Sequence, residues 1–283
     1  MNGTDRTVRD VFQVLRETSD TIRAGFVGRR YTSRGKNPSG ETQVAADTYA
    51  DELLVERVAD LNTVGSVASE ERKGIVDTGS GVSVTIDPLD GSSNIASNNL
   101  VGTIVGIYNA PLPAKGTDLC GAAFLLYGPV TSLIVATKTG CFKETLSNGE
   151  TVIRHEVSIP EIPKVYGMGG PPEEFSPQLQ HFIYNLETKL KLRYGGSMVG
   201  DVNQVLQYGG IFGYPALESA SSGKLRLQFE CNPMAYIINR AGGCSSDGNQ
   251  SILEVEPRQL HQRSPVYLGN QVLIDRLKKE LSS

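Results

Sequence analysis

Two aspartates three positions apart, Asp87 and Asp90, follow an apolar, β-branched stretch at 82–86. The stretch is typical of a buried strand, and the proline between the aspartates forces a turn. A glycine and two serines at 91–93 offer close backbone approach, successive N–H groups and hydroxyls, which suit an anionic oxygen. Carboxylates beside an anion cradle indicate metal-assisted phosphate chemistry. The alternative is an ordinary surface turn, because Asp-Pro and Asp-Gly pairs are common in turns.

Acidic residues also end two other predicted strands. An apolar run at 64–68 leads to Glu70 and Glu71, and an alternating run at 225–229 leads to Glu230. Strand ends of one sheet commonly face one crevice, so we expect these acids to converge on the aspartate pair. The alternative for the 64–68 strand is a solvated acidic end.

Convergence of these acids would demand cations. At about 4 Å and an effective dielectric constant of about 20, each pair of like charges costs about 4 kcal/mol. Carboxylates and a backbone carbonyl select hard ions, Mg²⁺ or Mn²⁺. Two such ions about 3.5–4 Å apart would clamp an in-line phosphoryl displacement.

The bulk composition is that of an ordinary globular protein, with 283 residues, 39% hydrophobic and 20% charged. The net charge of −4 predicts no nucleic-acid partner. Four cysteines without C-x-x-C spacing indicate neither a zinc site nor a disulfide framework, and they favour a cytoplasmic protein. No apolar run is long enough to span a membrane, and the polar N-terminus is not typical of a signal peptide.

Helical and strand patterns are mixed along the chain. Helices are predicted at 7–27, 41–60 and 272–281, and further helices begin near 177, 198 and 232. Strands are predicted at 64–68, 82–86, 101–108, 119–127, 130–137, 164–168, 225–229 and 266–268. Turn residues at 128–129 and 147–149 indicate hairpins. This mixture predicts a layered α/β or α+β fold rather than a purely doubly wound sheet.

Three further segments bear on the domain organisation and on the predicted active site. The best domain junction lies at 159–163, which divides the chain into 1–160 and 161–283. Asp47 lies close to the apolar face of the 41–60 helix, where an unpaired carboxylate is costly. The basic, turn-rich segment 28–40 is predicted to be a mobile loop, with an inert surface connection as the alternative.

The chain resembles the fructose-1,6-bisphosphatases, within the metal-dependent, lithium-sensitive phosphatase superfamily that includes inositol monophosphatase. The matching segments are 69–71, 87–95, 102–108, 193–199, 208–215, 223–236, 241–243 and 261–265. Inositol monophosphatases share the Asp-Pro-x-Asp-Gly loop but usually carry Trp-Asp where this chain has Glu-Cys-Asn-Pro at 230–233. The resemblance implies a layered αβαβα fold with mixed sheets.

The resemblance implies a set of metal ligands. Asp87, Asp90 and Glu230 would hold one ion. Glu70, Asp87 and the Leu89 carbonyl would hold a second, and Glu70 could also reach a third. The implied cofactor is Mg²⁺, two or three ions per active site, with Mn²⁺ as the alternative.

The resemblance also implies catalytic and substrate-binding residues. Asp47 and Glu71 match the pair thought to take the proton from the attacking water, and with Asp87 they form the catalytic set. The implied substrate-binding residues are Asp90, Gly91, Ser92, Ser93, Arg193, Tyr194, Met198, Tyr214 and Lys224. The amides of the 91–92 segment would bind the 1-phosphate. Arg193 matches an arginine that reaches a neighbouring subunit's site, which implies a homo-oligomer, dimer or tetramer.

The departures from the family pattern are specific. Residues 167–172 stand where the family usually has Asn and Tyr for the 6-phosphate, which makes a relaxed or different sugar phosphate conceivable. Glu41 stands where an Asp is usual in the mobile loop. The N-terminus is shorter than in the AMP-inhibited enzymes, and their Lys-Tyr pair and Arg are replaced by 81–82 and Asn109. We therefore predict weak or absent AMP inhibition.

The resemblance thus implies Mg²⁺-dependent hydrolysis of fructose 1,6-bisphosphate to fructose 6-phosphate and phosphate, a cytoplasmic reaction of gluconeogenesis, by a homotetramer. Sedoheptulose-1,7-bisphosphatase, a dual sugar bisphosphatase and an inositol-phosphate phosphatase are the alternatives with related chemistry. A catalytically inactive, sugar-phosphate-binding regulatory protein is the alternative of another class. The complete set of acids argues against it.

Overall fold

Six α-helices and fifteen strands are formed by the residues that the computed structural model describes, 3–29, 33–36 and 42–283. The helices are α1 Gly3–Gly25, α2 Ala45–Ala59, α3 Pro177–Glu187, α4 Met198–Tyr208, α5 Asn232–Arg240 and α6 Gln271–Leu281. The strands are β1 Ser33–Lys36, β2 Thr42–Val44, β3 Val64–Ser69, β4 Ile75–Asp77, β5 Val82–Asp90, β6 Val101–Tyr108, β7 Leu119–Tyr127, β8 Thr131–Thr137, β9 Gly140–Ser147, β10 Glu150–Glu156, β11 Val165–Met168, β12 Lys191–Leu192, β13 Gly210–Tyr214, β14 Cys244–Ser246 and β15 Val266–Gly269.

Eight strands form the larger sheet, in the order β10-β9-β8-β7-β6-β5-β3-β4. Neighbouring strands are antiparallel except β3 and β5, which run parallel. Both predicted hairpins are confirmed, as β7–β8 and β9–β10. In the second, Asn148 and Gly149 have φ of 54° and 73°, which two-residue hairpin turns favour.

The smaller sheet has five strands in the order β12-β11-β13-β15-β14. Strand β11 is parallel to both neighbours, whereas β15 is antiparallel to β13 and β14. The prediction of mixed sheets is therefore confirmed. A third, two-stranded sheet pairs β1 with β2.

The helices and the two larger sheets stack in five layers. Helices α1 and α2 pack on one face of the eight-stranded sheet, and α4 and α5 pack on its other face. Helix α4 also packs on the five-stranded sheet, whose far side contributes a third apolar cluster with α3 and α6. The order α, β, α, β, α confirms the predicted layering. Strands covered on both faces are almost wholly buried, as β5 and β6 are.

The two large sheets take their strands from opposite sides of residue 160. They share one apolar cluster, because residues of α4 and α5 pack with Ile104 and Phe124 on one side and Phe212 on the other. The division into units 1–160 and 161–283 stays a prediction.

Three sequence predictions about local structure are wrong. Pro88 does not end its strand, because the register of β5 against β6 is irregular between Asp87 and Asp90, where a residue without an N–H is tolerated, and β5 continues to Asp90. The predicted helix at 41–60 begins at Ala45, because Asp47 Oδ2 accepts the Val44 N–H at 2.7 Å and so caps the first turn. The predicted strand at 225–229 is replaced by a π-helical turn, Leu227–Cys231, that runs into α5.

Part of the predicted mobile loop at 28–40 lies outside the described residues, as does Glu41. The predicted N-cap of α3 is confirmed, since Ser176 Oγ accepts the Leu179 N–H at 3.2 Å.

Candidate active site

The acids of the first two predicted strands meet because β3 and β5 are parallel neighbours. Ser69 pairs with Ile86, and the Glu70 N–H donates to the Ile86 carbonyl at 2.9 Å. The chain therefore places Glu70 beside the start of the aspartate loop. This part of the predicted convergence is a direct consequence of strand register.

Asp87, Asp90 and Glu230 form a group in which one carboxylate oxygen from each lies within 4.8 Å of the others. Their residues are only 4%, 7% and 4% exposed. Asp90 Oδ2 accepts hydrogen bonds from Ser197 Oγ at 2.7 Å and from the Val199 N–H at 2.9 Å. Three buried, convergent carboxylate oxygens are a donor set that fits a hard divalent cation.

Burial, together with mutual repulsion at Asp87, favours the protonated forms of Asp87 and Asp90 when no cation is bound. Burial raises the pKa of Asp87 well above its usual range, and the Glu70, Asp90 and Glu230 carboxylates raise it further, while Arg226 opposes them. Burial likewise raises the pKa of Asp90, against the hydrogen bonds that it accepts. A divalent cation would displace these protons and replace repulsion by attraction.

Glu230 reaches the group through the π-helical turn. Its turn is fixed by Gln228, whose side-chain oxygen accepts the Ala114 N–H at 3.0 Å and whose side-chain nitrogen donates to the Ala114 carbonyl at 2.7 Å. Thr85 Oγ1 and Tyr108 Oη both donate to the Gln228 carbonyl, at 3.0 and 3.1 Å. These long-range bonds explain why the alternating segment does not continue as a strand.

Arg226 is a site residue to which the sequence analysis gave no role. Its guanidinium Nη1 lies 2.8 Å from Glu70 Oε1 and 3.7 Å from Glu230 Oε2, and the residue is 3% exposed. Its backbone N–H also donates to Glu230 Oε2 at 2.6 Å. A buried guanidinium here offsets part of the negative charge. The sequence feature that could have identified Arg226 is its position between Lys224 and Glu230, within the segment 223–236 that resembles the family.

A cavity of about 410 Å³ contains the acids in its lining, together with most other site residues predicted from the sequence. It is lined by every one of them except Arg193: Asp47, Glu70, Glu71, Asp87, Leu89, Asp90, Gly91, Ser92, Ser93, Tyr194, Met198, Tyr214, Lys224 and Glu230. Further lining residues that sequence reasoning missed include Ser197, Asp201 and Phe212.

Asp201 is a further buried acid that lines the cavity. Its Oδ1 accepts the Gly195 N–H at 2.7 Å. Burial raises the pKa of Asp201 to about 7, the Asp90 charge adds to this, and the Gly195 and Gly196 N–H groups oppose it. It anchors the loop that carries Tyr194.

The anion cradle depends on Gly91. Its φ is +73°, and a Cβ there would lie 2.6 Å from the Ser197 Cβ, so both conformation and space require glycine. The 3₁₀ turn Ser92–Ile95 follows directly. The loop can therefore approach Ser197, the residue before α4, while Gly91 and Ser92 line the cavity.

The far end of the cavity is aromatic and basic. Lys224 Nζ lies 5.5 Å from the centroid of the Tyr214 ring. Burial raises the pKa of Tyr194 to about 12, so its hydroxyl stays a donor at neutral pH. Gly169 lies behind these rings, and a Cβ there would come within 2.4 Å of Tyr214 and 2.8 Å of Tyr194 Oη.

Segment 167–172 therefore supports the tyrosines from outside and contributes no residue to the cavity lining. Arg193 also lies outside. It is exposed, it follows the edge strand β12, and its Nη1 donates to the Leu192 carbonyl at 3.2 Å.

Asp47 and Glu71 approach the cavity from different elements. Asp47 stands in the first turn of α2 and is 3% exposed. Glu71 follows the end of β3, where its N–H donates to Ser69 Oγ at 3.3 Å. The two acids line the same cavity as the metal-ligand candidates.

Comparison with known proteins gives a consistent result over the whole chain. Models described as the N-terminal and C-terminal domains of fructose-1-6-bisphosphatase match residues 9–156 and 159–282. The chain is 48% identical over 279 residues to a class 1 fructose-1,6-bisphosphatase of Natronomonas pharaonis, covering 97% of this chain and 98% of that one. It is 47% identical over 278 residues to one of Haloarcula marismortui, covering 98% and 96%.

The fold is also similar to a solved structure. The holo form of Leishmania major fructose-1,6-bisphosphatase aligns with a TM-score of 0.91 at 32% identity, covering 99% of this chain and 95% of that one. Separately, each helix within the described residues is too short or too polar to cross a membrane.

Proposed function

The chain belongs to the class 1 fructose-1,6-bisphosphatase family and is a phosphoric monoester hydrolase, and from this premise we propose which residues carry the reaction. The observation that carries the proposal is the convergence of Asp87, Asp90 and Glu230 within 4.8 Å, in a cavity that also contains an anion-binding loop. The substrate is fructose 1,6-bisphosphate, and the phosphate removed is the 1-phosphate.

The buried acids fit Mg²⁺ by their donor chemistry. Asp87, Asp90 and Glu230 would hold one ion, and Glu70, Asp87 and the Leu89 carbonyl a second. When bound, these ions supply charge neutralisation and Lewis acidity at the reacting phosphate. Arg226 keeps Glu70 and Glu230 oriented, because it contacts both.

The chain's own donors hold the two phosphates. The Gly91 and Ser92 amides bind the 1-phosphate beside the acids. At the other end, Lys224 and the hydroxyls of Tyr194 and Tyr214 bind the far phosphate, with Lys224 supplying a point charge. Holding both ends orients the reacting phosphorus toward the attacking water.

Asp47 and Glu71 accept the proton of the attacking water. Both line the cavity, and Asp47 already has one oxygen engaged by the Val44 N–H, which fixes its carboxylate in place. Spontaneous phosphate-monoester hydrolysis needs acceleration of up to ~10²¹-fold, so positioning, charge stabilisation and proton removal all have to contribute.

Phosphate release from fructose 1,6-bisphosphate tests the proposal. We expect turnover with Mg²⁺, its loss on chelation, and a loss of at least ~10³-fold in Asp87→Asn with the circular dichroism spectrum unchanged. Asp77→Asn, at an exposed acid on β4, is the matched control and should retain activity. Wild-type turnover by Asp87→Asn would contradict the metal assignment.

Weak or absent AMP inhibition is part of the proposal. Neither Val82, which is buried, nor Asn109, which is exposed, supplies a positive charge for a nucleotide phosphate. Gly81 lies so close to Thr63 that a Cβ would come within 2.2 Å of its carbonyl oxygen. A micromolar inhibition constant for AMP in a steady-state assay would overturn this proposal.

Sedoheptulose 1,7-bisphosphate is the second candidate substrate. The observation that favours it is that segment 167–172 contributes no residue to the cavity lining, so recognition of the far phosphate depends on Lys224 and two tyrosines. Comparing kcat/KM for the two bisphosphates and for an inositol monophosphate ranks the substrates. A preference for the inositol phosphate would contradict the sugar-bisphosphate proposal.

A further inference from the structure

Three contacts meet at Arg72, which directly follows Glu71. Its side-chain Nε donates to Asp51 Oδ2 of α2 at 2.8 Å. Its carbonyl accepts a hydrogen bond from His261 Nε2 at 2.9 Å, and a carbonyl can only accept, so this nitrogen carries the proton. We call Asp51, Arg72 and His261 the Arg72 brace.

Each member of the Arg72 brace adjoins an acid of the active site. Asp51 lies one helical turn after Asp47 and therefore on the same face of α2. The imidazole of His261 packs against the Phe229 ring, with centroids 5.1 Å apart, and Phe229 precedes Glu230. The brace thus joins the helix, the strand end and the π-helical turn that carry the reacting acids.

The brace does not line the cavity, so its members do not contact the substrate. The Asp51 side chain is 8% exposed and that of Arg72 is 35% exposed, so the pair is partly desolvated. The second oxygen of Asp51 is buried and has no hydrogen-bond partner within the described ranges. Such a pair adds little net stability, because desolvation of the charges offsets their attraction.

The same contacts have a clear geometric effect. Arg72 fixes the segment after Glu71 from two sides, by its side chain to α2 and by its carbonyl to the C-terminal segment. Burial lowers the pKa of His261, the hydrogen bond to the Arg72 carbonyl opposes this, and the Arg226 charge adds to the lowering. The lowered pKa favours the neutral imidazole, which keeps one donor for the Arg72 carbonyl.

We propose that Asp51, Arg72 and His261 are positioning residues that hold Glu71 and Asp47 at the separation that proton removal from water requires. The inference rests on the proposed function, because it takes that pair as the proton acceptor. It extends the active site to three residues that act through others and touch neither substrate nor metal.

Arg72→Met is the main test. We expect kcat to fall ~10- to 100-fold with KM changed less than ~2-fold, since displacement of a reacting group by ~1 Å can cost 10²-fold. Arg72→Lys keeps a charge for Asp51 and should recover part of kcat. Arg57→Met, which removes a surface ion pair of α2 with Glu17 at 2.6 Å, is the matched control and should leave kcat unchanged.

His261 gives an independent pair of variants. His261→Leu loses the donor to the Arg72 carbonyl and should lower kcat, whereas His261→Gln keeps an N–H donor at similar reach and should restore most of it. Equal kcat values for the two variants would contradict the brace. Each kcat is divided by the fraction of folded protein, which urea unfolding measures. If Arg72→Met or His261→Leu does not fold, Asp51→Asn, a smaller change in the same brace, takes its place.

A double-mutant cycle decides whether the brace acts through Glu71. In a Glu71→Gln background, Arg72→Met should lower kcat less than ~2-fold further, because the Glu71–Asp47 pair whose separation it sets is already broken. Additive losses would mean that Arg72 acts elsewhere and would overturn the proposal. Wild-type kcat in Arg72→Met would overturn the brace while the proposed function stands. An inactive wild type would overturn both.

Discussion

Asp87 faces three other carboxylates in a buried site, and Arg226 is the guanidinium that opposes them. At the scale of single residues this arrangement destabilises the metal-free protein, since like charges in a desolvated site repel or must be protonated. The same cost is the source of metal affinity, because a divalent cation converts each repulsion into an attraction. The sequence predicted this conflict from the acids alone, but it did not predict the partial offset by Arg226.

The first prediction follows from this conflict. Asp87→Asn should stabilise the metal-free protein by about 1 kcal/mol, because a neutral amide removes a buried acid that three carboxylates repel, and the melting temperature in chelator should rise ~2–4 °C. Thermal unfolding by circular dichroism measures it. Asp77→Asn should shift it by less than ~1 °C, since that residue is exposed. A lower melting temperature for Asp87→Asn would show that the acids are not in conflict.

The second prediction concerns pH. The raised pKa values of Asp87 and Asp90 mean that the metal-free site retains protons at a pH where exposed aspartates have lost theirs. Mg²⁺ binds the charged forms, so its affinity should rise as pH rises and fall as pH falls, and binding should release protons. Calorimetric titration in two buffers of different ionisation enthalpy counts those protons. An affinity that does not fall as the pH is lowered would contradict the assignment.

At the scale of elements, the sequence predicted structure well wherever local chemistry decides it. The Ser176 cap and the turn at 148–149 depend on residues close to one another in the sequence, and both predictions are confirmed. The π-helical turn was missed because Gln228 binds Ala114, 114 positions away, and no local pattern records that bond. π-helical turns of this kind occur frequently at functional sites, and this one carries Glu230.

The third prediction belongs to that turn. Gln228→Ala would leave both the Ala114 N–H and its carbonyl buried without their partner, so we expect a loss of ~2–4 kcal/mol in the free energy of unfolding. Urea unfolding of the metal-free protein measures it. Gln271→Ala removes an exposed hydrogen bond to Asp275 and should cost less than ~0.5 kcal/mol. Equal losses in the two variants would mean that Gln228 does not fix the turn.

At the scale of the whole molecule, the cavity lies between the two large sheets and needs both. The eight-stranded sheet carries Asp87 and Asp90 and leads into Glu70 and the anion loop, while Tyr214 ends a strand of the five-stranded sheet. Composition and periodicity alone could not place Tyr214 opposite Asp87. Each acid could be predicted because it is attached to a local element, but the distance across the cavity depends on how the layers pack, and resemblance supplied that pairing.

The fourth prediction concerns Arg193, the predicted site residue that does not line its own chain's cavity. Arg193 is exposed and follows an edge strand, and from the resemblance we predict that it serves a neighbouring subunit's site. Arg193→Ala should then raise KM for the bisphosphate ~10-fold or more, because a charge-assisted bond to phosphate contributes ~1.5–3 kcal/mol, while kcat changes little.

Subunit mixing distinguishes a residue that acts in its own site from one that acts in a neighbour's. Co-refolding Arg193→Ala with Asp87→Asn gives hybrids in which a subunit with intact acids can receive Arg193 from an inactive partner. If the arginine crosses, part of the activity should show the wild-type KM, although Arg193→Ala alone has a raised KM and Asp87→Asn alone is inactive. Mixing Arg193→Ala with an Asp87→Asn chain that also carries Arg193→Ala is the control and should show no recovery. If neither mixture recovers activity, Arg193 acts in its own subunit's site or takes no part in the reaction. Arg193 would then give no reason to infer an oligomer.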